Sequence, residues 1–142
     1  MKNDKELYIL YGLIVGRNIK VGITSFDRFK MRMKEIEKSF GKINVNKSFY
    51  YKSNSYKDIK NSEKALHLAM WRHNVNIKRS GSGETEFFKA NKKKEIINII
   101  DSFSTVNKLG KINYFNNKNS LPYISSFLVV ILSLVILNLI RG

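Results

Sequence analysis

The sequence predicts an α+β domain, a small three-stranded antiparallel sheet flanked by helices, followed by a C-terminal transmembrane helix. Three observations carry this expectation. Two apolar strand-like runs, "ELYILYGLIV" and "IKVGIT", are separated only by "GRN" (Gly16 to Asn18), a spacing that calls for a hairpin. Apolar residues then recur at steps of three and four in separate stretches, as helices packed on a sheet require. The end of the chain, Ile124 to Ile140, carries no charge and is built mostly of Leu, Ile and Val.

In chain order, Thr24 or Ser25 is placed to cap a helix with the stripe Phe26, Phe29, Met33, Ile36 and Phe40, which Gly41 ends. In "INVNKSFYY", alternation puts Ile43, Val45, Phe49 and Tyr51 on one face of a third strand, broken only by Lys47. A second helix is expected from about Tyr56 to Asn74, with Ile59, Leu66 and Met70 facing inward. "KRSGSGE" reads as a basic loop and "TEFF" as a brief return to the core. Asn91 is placed to cap a last helix packed through Ile96, Ile97, Ile99, Ile100 and Phe103. The organisation is thus a folded unit over 1–104, a basic linker over 105–123, and a membrane span over 124–140.

The formal net charge is +15, from 26 Lys+Arg against 11 Asp+Glu. A polyanion, nucleic acid or an anionic lipid face, suits such a surface, although AT-rich coding also produces lysine. The absence of Cys excludes a disulfide framework and a thiolate metal site. As a helix, Ile124 to Ile140 would reach about 25 Å at ~1.5 Å per residue, and Leu121, Pro122 and Tyr123 extend it toward the thickness of a bilayer core. Every basic residue but Arg141 precedes the span, so the positive-inside tendency leaves the N-terminal domain in the cytoplasm. The expectation is a single-pass tail anchor in a lipid bilayer.

Arg28 and Arg32 are one helical turn apart and share a face beside the stripe. Paired guanidiniums offer forked donors to a phosphodiester, but they could equally be solvated or paired with Asp27 or Glu35. Glu63 sits between Ile59 and His67 at the margin of the buried face. It could hold a hard cation such as Mg²⁺, or simply contact His67 or a lysine.

The order of these pieces resembles the GIY-YIG nuclease superfamily. A Tyr in the first strand is followed by "KVGIT", "RMKEI", "SEKALH" and then "GETEFF". The similarity is greatest to the compact phage and viral branch, whose second motif reads Lys-Ile-Gly, and it covers roughly Tyr8 to Ile100. Tyr11 matches the first-motif tyrosine, Lys20 the position of the second tyrosine, Arg32 the family arginine and Glu63 the metal-binding glutamate. Two departures stand out: Ile9 and Leu10 replace the leading glycine of the first motif, and Lys20 replaces a tyrosine.

The resemblance implies a divalent-metal-dependent endonuclease hydrolysing DNA phosphodiester bonds with one Mg²⁺ (or Mn²⁺) on Glu63. Arg32 would stabilise the transition state. Tyr11, or a water it orients, would supply the nucleophile, with Lys20 either lowering the phenol's pKa or replacing the missing hydroxyl as a phosphate contact. Gly22 and His67 would support the site. Arg28, Lys30, Arg72, Lys78 and Arg79 are expected to bind the nucleic acid, with low sequence specificity. The alternatives are an inactive DNA-binding module of the same fold, with stacking on Tyr50 or Trp71, or a basic membrane-anchored interaction protein.

Overall fold

In the computed structural model, residues 6–75, 87–104, 109–115 and 136–141 are described. Strand β1 (Tyr8–Val15) and strand β2 (Asn18–Ser25) form the expected hairpin, closed at Gly16, whose φ of 60° lies where glycine is favoured. Helix α1 (Phe26–Phe40) follows directly; Ser25 occupies the cap position without a side-chain capping bond, and Gly41 ends the helix at φ 114°. Strand β3 (Ile43–Ser53) returns along β1, and helix α2 (Tyr56–Met70) opens with the Ser55 hydroxyl accepting from the Asp58 amide. A 3₁₀ turn (Trp71–His73) continues α2. Strand β4 (Phe87–Lys89), a second 3₁₀ turn (Ala90–Lys92), helix α3 (Lys93–Ser104) and strand β5 (Asn113–Tyr114) complete the order. Asn91 lies within that second turn rather than capping α3.

The sheet has five antiparallel strands, not three, in the order β4-β2-β1-β3-β5. Both extra strands are short and come from segments without a strand-length alternation. Phe87 and Phe88 extend the hairpin edge by pairing with Lys20 and Ile19. Asn113 and Tyr114 add to β3 opposite Tyr50 and Phe49, from a stretch read as linker. What recruits that stretch is burial: Leu109 and Ile112 pack on one face of the sheet and Phe115 on the other, against Phe29 and Tyr50. Part of the expected linker is therefore sheet.

Alternation on β1 sorts the core into two layers. Ile9, Tyr11, Leu13 and Val15 face α1 with Phe29 and Ile36. Leu10 and Ile14 face α2 and α3, where Ile19, Val21, Ile59, Leu66, Met70, Phe88, Ile96 and Ile100 pack. In this layer the Tyr51 phenol donates to Asp101 at 2.9 Å, and burial, then that bond, raise its pKa.

Ile43 and Phe49 do not share a face, contrary to strict alternation. Pairing jumps from Gly12↔Phe49 to Ile14↔Asn44, so β3 bulges between them and its parity changes. Ser48, buried in the bulge, accepts from the Ile14 amide at 2.9 Å and donates to the Asn44 carbonyl at 2.7 Å. Its hydroxyl replaces ladder bonds that the bulge removes. Ser48→Ala leaves both groups without that partner, and we expect a loss of about 1–3 kcal/mol in urea-unfolding stability.

The expected membrane span falls mostly outside the described residues. Of it, 136–140 are helical, and among the described residues no helix is long and apolar enough to cross a membrane.

Candidate active site

Tyr11, Gly22 and Arg32 meet on the α1 side of the sheet, the side that Lys20 also faces. Tyr11 and Gly22 are direct cross-strand partners in the hairpin. The phenol lies across Gly22 so closely that a Cβ there would overlap the hydroxyl and stand 2.6 Å from the ring carbon bearing it. The glycine of "KVGIT" thus makes a seat for Tyr11. Phe29 stacks on the other side, with ring centroids 5.7 Å apart. Held between strand and helix, the Tyr11 hydroxyl accepts from Arg32 Nε at 3.5 Å.

Arg32 is positioned twice, since its Nη1 also donates to Glu35 one turn along α1 at 3.1 Å. Burial works against the guanidinium's charge, but Tyr11 and Glu35 outweigh it and hold the pKa above the ordinary value. The side chain keeps 30% of its surface accessible. It lines a groove of about 250 Å³ with Ile23 and Thr24 of β2 and Arg28, Met31 and Glu35 of α1. Two arginines and a threonine hydroxyl in one shallow groove suit an oxyanion such as a phosphodiester. Lys30 is exposed but does not line the groove.

Lys20 departs from expectation. It is fully buried, with its ammonium 4.9 Å from the Phe87 ring centroid and 5.7 Å from that of Phe40. A lysine over two rings is held by cation–π attraction, worth ~2 kcal/mol when desolvated. Tyr11 is likewise only 1% exposed. Neither side chain reaches the groove surface in this conformation. Their neighbours, Phe87 and Phe29, lie far away in sequence or on another element, so nothing local signals the burial.

Glu63 lies across the sheet from Tyr11, Lys20 and Arg32, because α2 packs on the opposite layer. It occupies the flank of α2 that faces the β2–β4 side: one turn on, the His67 ring stands 5.6 Å from that of Phe88. Glu63 lines a separate depression with Lys60, Lys64, His67 and Leu68. His67 Nε2 lies 3.6 Å from Glu63 Oε1, just beyond hydrogen-bond reach, and is buried with no hydrogen-bond partner among the described residues. Among those residues no three His, Asp or Glu side chains cluster. A single carboxylate with 16% exposure and an adjacent unsatisfied imidazole nitrogen fits Mg²⁺ or Mn²⁺ only of the kind that keeps most ligands as water and phosphate.

Of the remaining expected residues, Arg28 lies in the Arg32 groove and Arg72 in a distant depression, while Lys78 and Arg79 fall outside the described residues. Tyr50 is 8% exposed beneath Phe29 and Phe115, which rules out base stacking on it; Trp71 is 66% exposed. Of the groove residues, Thr24 was legible only as a possible helix cap and Glu35 only as a partner of the arginines.

A tyrosine on β1 seated on a glycine of β2 and bonded to an arginine of α1, with a glutamate on α2, defines a GIY-YIG-like domain. Residues 7–104 match the T5orf172 domain, a GIY-YIG-like family, and the chain belongs to that family. No curated protein and no solved structure matches it.

The seat on Gly22 is testable by coupling. Gly22→Ala is expected to destabilise the domain by about 1–3 kcal/mol in urea unfolding, as overpacking does. In a Tyr11→Leu background the same change should cost measurably less, since the ring it strikes is gone.

Proposed function

We propose that the domain hydrolyses DNA phosphodiester bonds with the help of one divalent ion, Mg²⁺ or Mn²⁺. The observation that carries the reading is the Tyr11–Arg32 contact over Gly22, which fixes a guanidinium at the wall of a groove shared with Arg28 and Thr24. Family membership supports it.

Arg32 would bind non-bridging phosphate oxygens and offset the charge that grows on them as water attacks phosphorus and the P–O3′ bond breaks. Tyr11, being buried, acts through Arg32: its hydroxyl holds the guanidinium in place rather than presenting the nucleophile. Arg28 would grip the neighbouring phosphate. Lys20 would add positive potential from beneath, its ring contacts keeping it in place. Glu63 would hold the divalent ion, which when bound supplies Lewis acidity to a phosphate oxygen. Arg32 on α1 and Glu63 on α2 lie on opposite layers of the sheet, so a DNA strand contacting both must reach from one layer to the other.

A second reading is favoured by the burial of Tyr11 and Lys20 and by Glu63's place across the sheet: a DNA-binding domain without turnover. Nicking of supercoiled plasmid in Mg²⁺ decides between them. The hydrolase reading expects cleavage by the wild type and a loss of about a hundredfold or more in Arg32→Ala and Glu63→Ala, with Glu63→Ala retaining gel-shift affinity. Cleavage unchanged in both variants would overturn the site. Binding by the wild type with no nicking would leave the non-catalytic reading.

We also propose that 124–140 attaches the protein to a bilayer, with the domain on the cytoplasmic face. The support is the charge-free apolar composition of that stretch and the basic residues before it. The full chain should float with liposomes in a gradient at high salt, whereas a chain ending at Tyr123 should stay at the bottom. Equal behaviour of the two would remove the anchor.

A further inference from the structure

At the far end of α2 from its cap, the 3₁₀ turn exposes Trp71, and the guanidinium of Arg72 lies 5.3 Å from the centre of its ring. Arg72 and His73 then border a depression of about 250 Å³ completed by Asn74, Val75, Lys89, Asn91 and Lys92. The fold builds this place deliberately from two distant segments. The Val75 amide donates to the Phe87 carbonyl at 2.8 Å, and Asn74 bridges to Phe88, which brings Lys89 and Lys92 beside Arg72. Among the described residues, Glu95 takes one contact from Lys92 at 3.4 Å, and the described side chains there leave a positive balance.

We infer that this ledge, an exposed indole beside a basic amide-lined depression, binds a single-stranded stretch of nucleic acid, with a base stacked on Trp71 and a phosphate between Arg72, Lys89 and Lys92. Base stacking on an aromatic face next to a cationic groove is how unpaired strands are held, whereas the bases of an intact duplex have no free faces to offer. Arg72 covers one side of the indole and prepares it for this, as a guanidinium stacks with either partner. The ledge lies about 12 Å along α2 from Glu63, at ~1.5 Å per residue over the residues between them. A strand held at Trp71 and running along α2 would reach Glu63 within a few nucleotides. The inference deepens the nuclease reading by naming the form of DNA, one carrying an unpaired segment. It rests on that reading for the partner class but not for turnover.

The chain contains a single Trp, so its fluorescence reports on this ledge alone. Titrating the full-length protein in detergent with an oligothymidylate should quench Trp71 emission, with an affinity that falls as salt rises. A blunt duplex of equal length should quench far less, and an oligouridylate arm shows whether deoxyribose matters. In a gel-shift assay, Trp71→Ala should weaken single-strand binding about tenfold and Trp71→Phe should restore most of it. Lys89→Gln with Lys92→Gln should weaken binding and flatten its salt dependence, while the exposed Lys38→Gln on α1 should change neither. The inference is overturned if no single strand quenches, if duplex quenches equally, or if Trp71→Ala binds like the wild type. It is also overturned if emission shifts to the blue only with phosphatidylserine vesicles, which would make the ledge a lipid contact. Because quenching reads binding and not cleavage, a protein that fails to nick but quenches would defeat the nuclease reading alone.

Discussion

The fit of the Tyr11 ring onto the bare backbone of Gly22 is the contact from which the site follows. A phenol on one hairpin strand can lie flat over its cross-strand neighbour only if that neighbour has no side chain. Once flat, it leaves room for Phe29 to stack above it, and that stacking sets where α1 rests on the sheet. Arg32, one turn beyond Phe29 on α1, then falls within reach of the hydroxyl. A packing constraint between two strands is thereby converted into the aim of a guanidinium.

The two faces of the sheet divide the chemistry between them. On the α1 face, buried Lys20 and the Arg28–Arg32 groove concentrate positive charge. On the α2 face, Glu63 and His67 form an i,i+4 pair beside a mainly apolar stem, with the basic ledge of Trp71 and Arg72 beyond it. In the proposed reading the arginines would take the phosphate and the Glu63 carboxylate, set among Lys60 and Lys64, would take the ion.

Aromatic rings organise the cationic groups as much as carboxylates do. Lys20 sits against Phe87 and Phe40, Lys52 over Phe26 and Tyr50, and Arg72 over Trp71. With only 11 acidic residues to answer 26 basic ones, ring faces supply part of the missing counter-charge. They do so without neutralising the surface, so the positive field available to a nucleic acid is kept.

Local pattern alone determined the hairpin and the three helices, because periodicity and turn chemistry act over a few residues; Tyr11, Arg32 and Glu63 were picked out together only by the resemblance to the GIY-YIG superfamily. Local pattern also determined that Arg28 and Arg32 share a face. Only the tertiary structure decided the two outer strands, which are too short to carry an alternation and exist because Phe87, Phe88 and Phe115 have core to bury in. The β3 bulge was hidden for a related reason: period-2 reading assumes an unbroken register, and a single buried serine hydroxyl sustains the break. Burial of Lys20 and the separation of Glu63 from Arg32 depend on which layer each helix covers, and that is settled by packing across the whole sheet rather than by any neighbour in the chain.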